Sequence, residues 1–312
     1  MFTMWKTTFR TIGIGLAAGV LAAYGATARP GTVNYIEGQV TLDDQSVGAT
    51  AMGSTEVQPG QILQTGQGKA EMLLTPGVFL RLADQSAVRM VSPSLIDIRV
   101  ELVRGEAMVE ADQVLPGNHL VITDRGTDVQ IQKNGVYKFT ADPATLAVYD
   151  GKAEVFRDDR TTEVGKGKEL TLAGATGQKP SSFDRKNGDN LYQWSDVRSE
   201  YLAEANQSSV QMIVAGNPGW WWYGAGWYWN PWFSSWAFVP GYGFFSSPFG
   251  FGFYSPIYWR AYPPAHYHVR PGVLAATPRV AASAERASMM SAPATRGAMG
   301  GGMRMGRFGG RR

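Results

Sequence analysis

The chain contains no cysteine. That absence excludes disulfides, thiolate nucleophiles, cysteine-ligated zinc and a lipidated cysteine anchor. Charged residues are sparse at 18%, against about a quarter in ordinary globular chains. The net charge of +3 is too small to mark a nucleic-acid binder. Histidine is nearly absent, with three in 312 residues, which leaves little material for imidazole-based catalysis. Neither a G-x-S-x-G nucleophile elbow nor a G-x-x-x-x-G-K-[ST] phosphate loop occurs. Gly66-Gln67-Gly68 and Gly165-Lys166-Gly167 lack the third glycine of a dinucleotide fingerprint. The sequence therefore predicts a protein without enzymatic activity and without a cofactor.

What is abundant is glycine, with 38 residues, and tryptophan, with 10. Both are unevenly placed, so the chain divides by composition. Lys6 and Arg10 precede an apolar run from Ile12 to Tyr24, and Ala26-Thr27-Ala28 offers a small-x-small cleavage site. This is the pattern of a secretory signal over residues 1–28, with Arg29 as first mature residue. The run of about 13 residues is short of the roughly 20 that cross a bilayer. A periplasmic or cell-surface location follows as the expectation, with an uncleaved membrane anchor as the alternative.

Residues 29–174 read as β. Ile96, Ile98, Val100 and Leu102 alternate with Asp97, Arg99 and Glu101, the signature of a half-buried strand. Arg104-Gly105 marks a hairpin or tight corner before Ala107, Val109 and Ala111 resume the alternation. Further short runs are Ala70-Met72-Leu74, Val78-Leu80-Leu82, Leu120-Ile122, Val129-Ile131, Ala153-Val155 and Leu170-Leu172. Turn-forming residues separate them, and Asp43-Asp44 and Asp158-Asp159 fit turns better than catalytic carboxylate pairs. A weak repeat places a glycine ahead of alternating residues at Gly38, Gly105 and Gly151. Glycines of ordinary β-turns, which recur in any all-β protein, account for it slightly better than a true repeat. The expected fold is all-β, a sandwich or short β-solenoid.

A polar linker over 175–189 leads to an amphipathic helix over 190–210. Leu191, Trp194, Val197, Tyr201 and Ala205 share one face, and Asn190 with Gln193 forms a capping-box signal. From Gln211 to Trp259 the chain has no charged residue. The segment 211–270 is low in complexity and rich in aromatics, glycine and proline. A membrane helix is excluded there, since glycine and proline would leave backbone groups unpaired in lipid. Residues 271–312 are rich in arginine, methionine and glycine and read as disordered.

Three residue sets remain as candidate contacts. Trp220, Trp221, Trp222, Trp227, Trp229, Trp232 and Trp236 are candidate surface or glycan contacts, through stacking on sugar rings or residence at a membrane–water interface. The bland alternative is an apolar apron packed on the β domain or on another copy of the chain. His266 and His268 have the only metal-like spacing, with nearby Met289, Met290, Met299, Met303 and Met305 as thioether donors for copper(I). A loop in a biased segment explains the same residues, and no metal site is predicted. His119 stands alone at a strand start, without an orienting partner.

Residues 31–172 resemble the FecR-type periplasmic domain. The resemblance is carried by Gly31 to Val40, Pro59-Gly60-Gln61-Ile62-Leu63-Gln64-Thr65-Gly66, Ala70 to Leu74, and Pro76 to Leu82. Leu102-Val103-Arg104-Gly105-Glu106-Ala107 and Asp150 to Val155 complete it, all in order. Regulatory members of that family place a cytoplasmic anti-sigma domain before a membrane helix. Here about ten residues precede the apolar run, too few for a domain. Lys133 to Phe139 also lacks the Gly-Thr pair of many relatives. The resemblance implies no catalytic residues. It implies a non-catalytic binding or assembly module of the cell envelope, partnered by an envelope protein, the outer-membrane surface or a polysaccharide. Alternatives are a surface protein whose aromatic segment grips polysaccharide or peptidoglycan, and a membrane-anchored FecR-like signal transducer.

Overall fold

The computed structural model describes residues 28–173, 178–186, 188–216 and 224–262. The signal segment, Trp220 to Trp222, His266 and His268 lie outside the described residues. In chain order the strands are β1 (Val33–Leu42), β2 (Gln45–Ser46), β3 (Ile62–Leu73), β4 (Val78–Leu82), β5 (Ala87–Ser94), β6 (Asp97–Arg104), β7 (Glu106–Ala111) and β8 (His119–Asp124). Next come β9 (Thr127–Ile131), β10 (Gly135–Ala141), β11 (Ala144–Asp150), β12 (Lys152–Arg157), β13 (Arg160–Gly165), β14 (Lys168–Thr171) and β15 (Ser181–Ser182). Helix α1 (Asn190–Ala215) follows, then β16 (Gly226–Asn230), β17 (Ser235–Val239), β18 (Phe244–Ser246), β19 (Gly252–Tyr254) and α2 (Pro256–Ala261).

The first fifteen strands make one bent sheet in the order β13-β12-β9-β8-β6-β5-β3-β4-β7-β10-β11-β14-β15, with β1 beside β3 and β2 beside β1. Long strand β3 belongs to both halves. Its start, Ile62–Gln64, pairs with β5, and its end, Ala70–Leu73, pairs with β4. The halves face each other across one core containing Met72, Leu80, Val109, Phe139 and Leu146 from one side and Leu63, Val88, Ile98, Val100, Ile122 and Val155 from the other. This is a sandwich whose corners are made by bending strands rather than by loops.

The corners explain the glycine repeat. β6 and β7 are consecutive but do not pair: β6 joins β5 and β8, whereas β7 joins β4 and β10. Gly105 between them is a tight corner, not a hairpin. It has φ +75°, and a Cβ there would sit 2.6 Å from Ser86 Cα. Gly151 does the same between β11 and β12, at φ +95°. In β1, Gly38 at φ +69° lies on the backbone of Gly68, with a Cβ position 2.2 Å from the Gln67 carbonyl oxygen. Gly38→Ala therefore meets both a disfavoured left-handed backbone and a wall of main chain. We expect it to lower stability by about 2 kcal/mol or more. A urea titration reads this directly, and a loss under 0.5 kcal/mol would show that the β1–β3 bend relaxes freely.

Ile98, Val100 and Leu102 point inward as the alternation predicts, but Ile96 does not. It sits in the β5–β6 turn and is exposed. The two halves differ in their outer faces. β6 and β9 alternate between buried and half-buried residues, so their outer face is open. In β4 every residue is buried, because α1 and the two aromatic hairpins cover it.

Helix α1 starts one residue earlier than the capping-box signal indicates. Asp189 is the N-cap, accepting from the Tyr192 backbone N–H at 2.9 Å. Its inward face is mixed rather than apolar: Leu191, Trp194 and Leu202 are buried, and so are Ser195, Arg198, Ser199, Asn206 and Ser209. Val197 and Tyr201 are half-buried. The covered sheet face is itself charged, and the aromatic hairpins present bare backbone groups. Polar side chains on the helix bond to both, Arg198 and Ser199 to the sheet carboxylates and Asn206 to the hairpin backbone.

Candidate binding surface and the sealed charge cluster

Glu71, Arg81, Glu110 and Asp112 stand on the outer face of the covered half, and α1 lowers Arg198 and Ser199 onto them. Arg81 Nε lies 2.9 Å from Glu71 Oε2 and Arg81 Nη1 lies 2.6 Å from Glu110 Oε2. Arg198 Nη2 lies 2.8 Å from Glu71 Oε1. The Ser199 hydroxyl donates to Glu110 Oε1 at 2.6 Å. Arg198 is also sandwiched between rings, 4.1 Å from the Tyr35 centroid and 4.8 Å from that of Tyr201. All five ionisable groups are inaccessible to solvent.

Burial pushes the Glu71 carboxyl up, but the opposing Arg198 and Arg81 charges win and hold it below the ordinary value. For Glu110 burial outweighs Arg81, and its pKa is raised. Asp112 is raised well above the carboxylate range by burial and then by the neighbouring Glu110 charge. Two neighbouring buried carboxyls have the form of a general acid–base pair. Both carboxyls are inaccessible to solvent. Charged residues inside apolar strands, as in Ala70-Glu71-Met72-Leu73-Leu74 and Phe79-Leu80-Arg81-Leu82, were the sequence signal for this cluster.

The aromatic segment, despite its biased composition, forms two hairpins. β16 pairs with β17 in register Trp227↔Phe238 and Trp229↔Trp236, and β18 pairs with β19. Asparagines hold them. Asn34 exchanges two hydrogen bonds with the Trp236 backbone, at 2.8 and 3.2 Å. Asn206 donates to the Phe238 and Tyr254 carbonyls and accepts from the Tyr254 N–H. Asn230 donates to the Ala205 carbonyl at 3.1 Å. Phe79 meets Trp227 edge-on at 5.2 Å, and Phe238 continues the stack to Phe253.

This packing divides the tryptophans. Trp227 and Trp236 are buried and so are not surface contacts; Trp236 donates its indole N–H to the Gly53 carbonyl at 2.8 Å. Trp229 and Trp232 are 41% and 58% exposed. A second exposed set lies at the end of the described chain. Tyr242, Phe244, Ile257 and Tyr262 are exposed, and Phe244, Tyr254, Tyr258 and Tyr262 form a run of touching rings with centroids 5.0 to 6.2 Å apart. No sequence periodicity marks this surface, because its members come from a short hairpin and a six-residue helix.

His119 is exposed, with Nδ1 3.3 Å from Gln130 Nε2. Among the described residues no group of three His, Asp or Glu side chains is arranged to hold a metal ion. No helix of the described residues is long and apolar enough to cross a membrane.

No known family model matches the chain, and no curated protein matches it. Among solved structures, it is similar to two crystal structures of a "putative anti-sigma factor" from Parabacteroides distasonis. They share 16% and 15% identity with it at a TM-score of 0.35. The match covers 43% of this chain and 64% of the other, so it spans less than two thirds of those proteins.

Proposed function

We propose that this chain is a non-catalytic binding or assembly module of the cell envelope, exported through its N-terminal apolar segment and built on a FecR-like β domain. The observation that carries this reading is the contrast between its two special regions. Arg198 and Ser199 join the helix to Glu71 and Glu110 of the sheet inside a closed layer, whereas the aromatic hairpins turn uncharged rings outward. Exposed contiguous apolar rings are surfaces for partners. The ordered resemblance over residues 31–172 and the signal pattern over 1–28 support the compartment.

The test is fractionation of expressing cells with mass spectrometry of the mature N-terminus. The expected result is a protein beginning near Arg29 that sediments with envelope material. An intact N-terminus in the cytosolic fraction would contradict the proposal. So would turnover of an envelope polymer by the pure protein that disappears in Glu110→Gln.

A further inference from the structure

The exposed rings of the second hairpin and α2 form a patch of one chemical kind. Tyr242 and Tyr262 are 72% and 67% exposed, and Phe244 and Ile257 are 44% and 39% exposed. Half-buried Tyr254 and Tyr258 connect Phe244 to Tyr262 through touching rings. Tyr242 stands two residues before Phe244. From Gly226 to Tyr262 the one charged residue is Arg260, in the last turn of α2. An aromatic side chain carries about 150–250 Å² of surface, so the four exposed residues alone turn roughly 500 Å² outward. A contiguous apolar patch of that size marks an interaction site.

Two properties of the patch select its partner. With no acidic residue and a single arginine, it has no charge pattern by which to choose a charged surface, and recognition between unlike proteins leans on such complementarity. An uncharged surface meets its own image without repulsion. The ring geometry supplies the fit. Neighbouring planes along the run are tilted by 32° to 51°, so the patch shows edges and faces by turns. Aromatic rings attract edge to face, the positive rim of one against the negative face of the other. A surface that offers both is complementary to itself after a two-fold rotation.

We infer that this patch is the contact between two copies of the chain, related by a two-fold axis. The inference rests on the assembly reading above and names the partner. Facing its image, the set of four buries roughly 1,000 Å² in total, the size at which specific interfaces begin. Tyr254 and Tyr258 add to it from the same surface. An interface of this size gives a reversible dimer set by concentration, not an obligate one. Because the contact is two-fold, every substitution within it is present twice. Tyr242→Lys thus brings two like charges into one apolar contact.

The experiment is sedimentation equilibrium of the protein as isolated after export, from roughly 1 μM to roughly 1 mM. The expected result is a monomer–dimer equilibrium that changes less than about twofold between low and high salt, since no charge is paired across the contact. Tyr242→Ser with Tyr262→Ser should weaken it by about tenfold or more. These are the most exposed rings, which guards against loss of folding, and urea titration checks that stability is kept. Phe244→Ser with Ile257→Ser should weaken it by about tenfold. Tyr242→Lys should weaken it by about tenfold or more and recover in part at high salt, the signature of a charge meeting its own image. A protein that stays monomeric across the range would overturn the inference, as would a dimer that every ring variant leaves unchanged. Ring variants that keep the dimer but lose binding to vesicles or purified cell-wall polysaccharide would overturn it as well. If no dimer forms while the protein still sediments with envelope material, the second-copy assignment falls and the module proposal stands.

Discussion

Arg198→Ala is expected to cost about 3–5 kcal/mol of folding stability, the range for removing one partner of a buried ion pair. Arg198 is the one cation that α1 contributes to the cluster. Without it, Glu71 and Glu110 share Arg81 alone, and a carboxylate is left in a site with no water access. The guanidinium also fills the space between Tyr35 and Tyr201, so a cavity adds to the charge penalty. A second variant separates the two effects. Arg198→Met with Glu71→Gln removes both charges and keeps most of the volume, and should recover more than half of the loss. Equilibrium urea unfolding measures all three proteins. A cost below 1 kcal/mol for Arg198→Ala would mean that α1 is not held through this contact.

Asp124→Asn is expected to do the opposite and stabilise the protein at neutral pH. Asp124 ends β8, is fully buried, and neither carboxylate oxygen has a hydrogen-bond partner among the described residues. Burial raises its pKa from 3.8 to about 6, with Arg125 opposing in part. The folded state thus keeps a proton that the unfolded state has released between those values. Stability tied to this group is fully present below about pH 4, falls as pH rises, and is lost above about pH 6. The neutral amide avoids that loss. The variant should match the parent near pH 4 and exceed it by roughly 2–3 kcal/mol at pH 7.5. Other buried acids also titrate, so the informative quantity is the difference between the two proteins at each pH. A constant difference across the range would assign the effect to packing instead.

Much of the sandwich was legible because its open half obeys a simple rule. Ile98, Val100 and Leu102 face inward while Arg99 and Glu101 face out, and the alternation reads directly from the chain. The corner glycines were legible as a repeat but not as corners. Nothing local to Gly105 or Gly151 says that the strands on either side pair with different neighbours. The covered half was harder, since its outer charges, Glu71, Arg81 and Glu110, look like solvent-facing residues until α1 is placed. The apolar members of the inward face of α1, Leu191, Trp194 and Ala205, were legible from helical spacing, and its polar members were not for the same reason: Arg198, Ser199 and Asn206 are polar residues buried against polar partners.

The aromatic hairpins lay furthest from reach. Their strands run three to five residues, too short for a periodic signal. Their backbone partners, Asn34 and Asn206, are remote in sequence, with Asn34 separated from Trp236 by 202 positions. Burial of Trp227 and Trp236 follows from those long-range bonds and from Phe79 beneath, not from the glycine- and proline-punctuated sequence around them.

The central structural claim is that the aromatic segment is folded onto the β sandwich and offers a partner only the rings it leaves outside. Hydrogen exchange with mass spectrometry tests it most directly. The amides of Trp236, Phe238 and Tyr254 are expected to be protected to the same order as those of β4 and β7, since all are closed within one packed layer. Exchange of residues 226–254 within seconds, beside a protected sandwich, would contradict the account and return the segment to a loose tail.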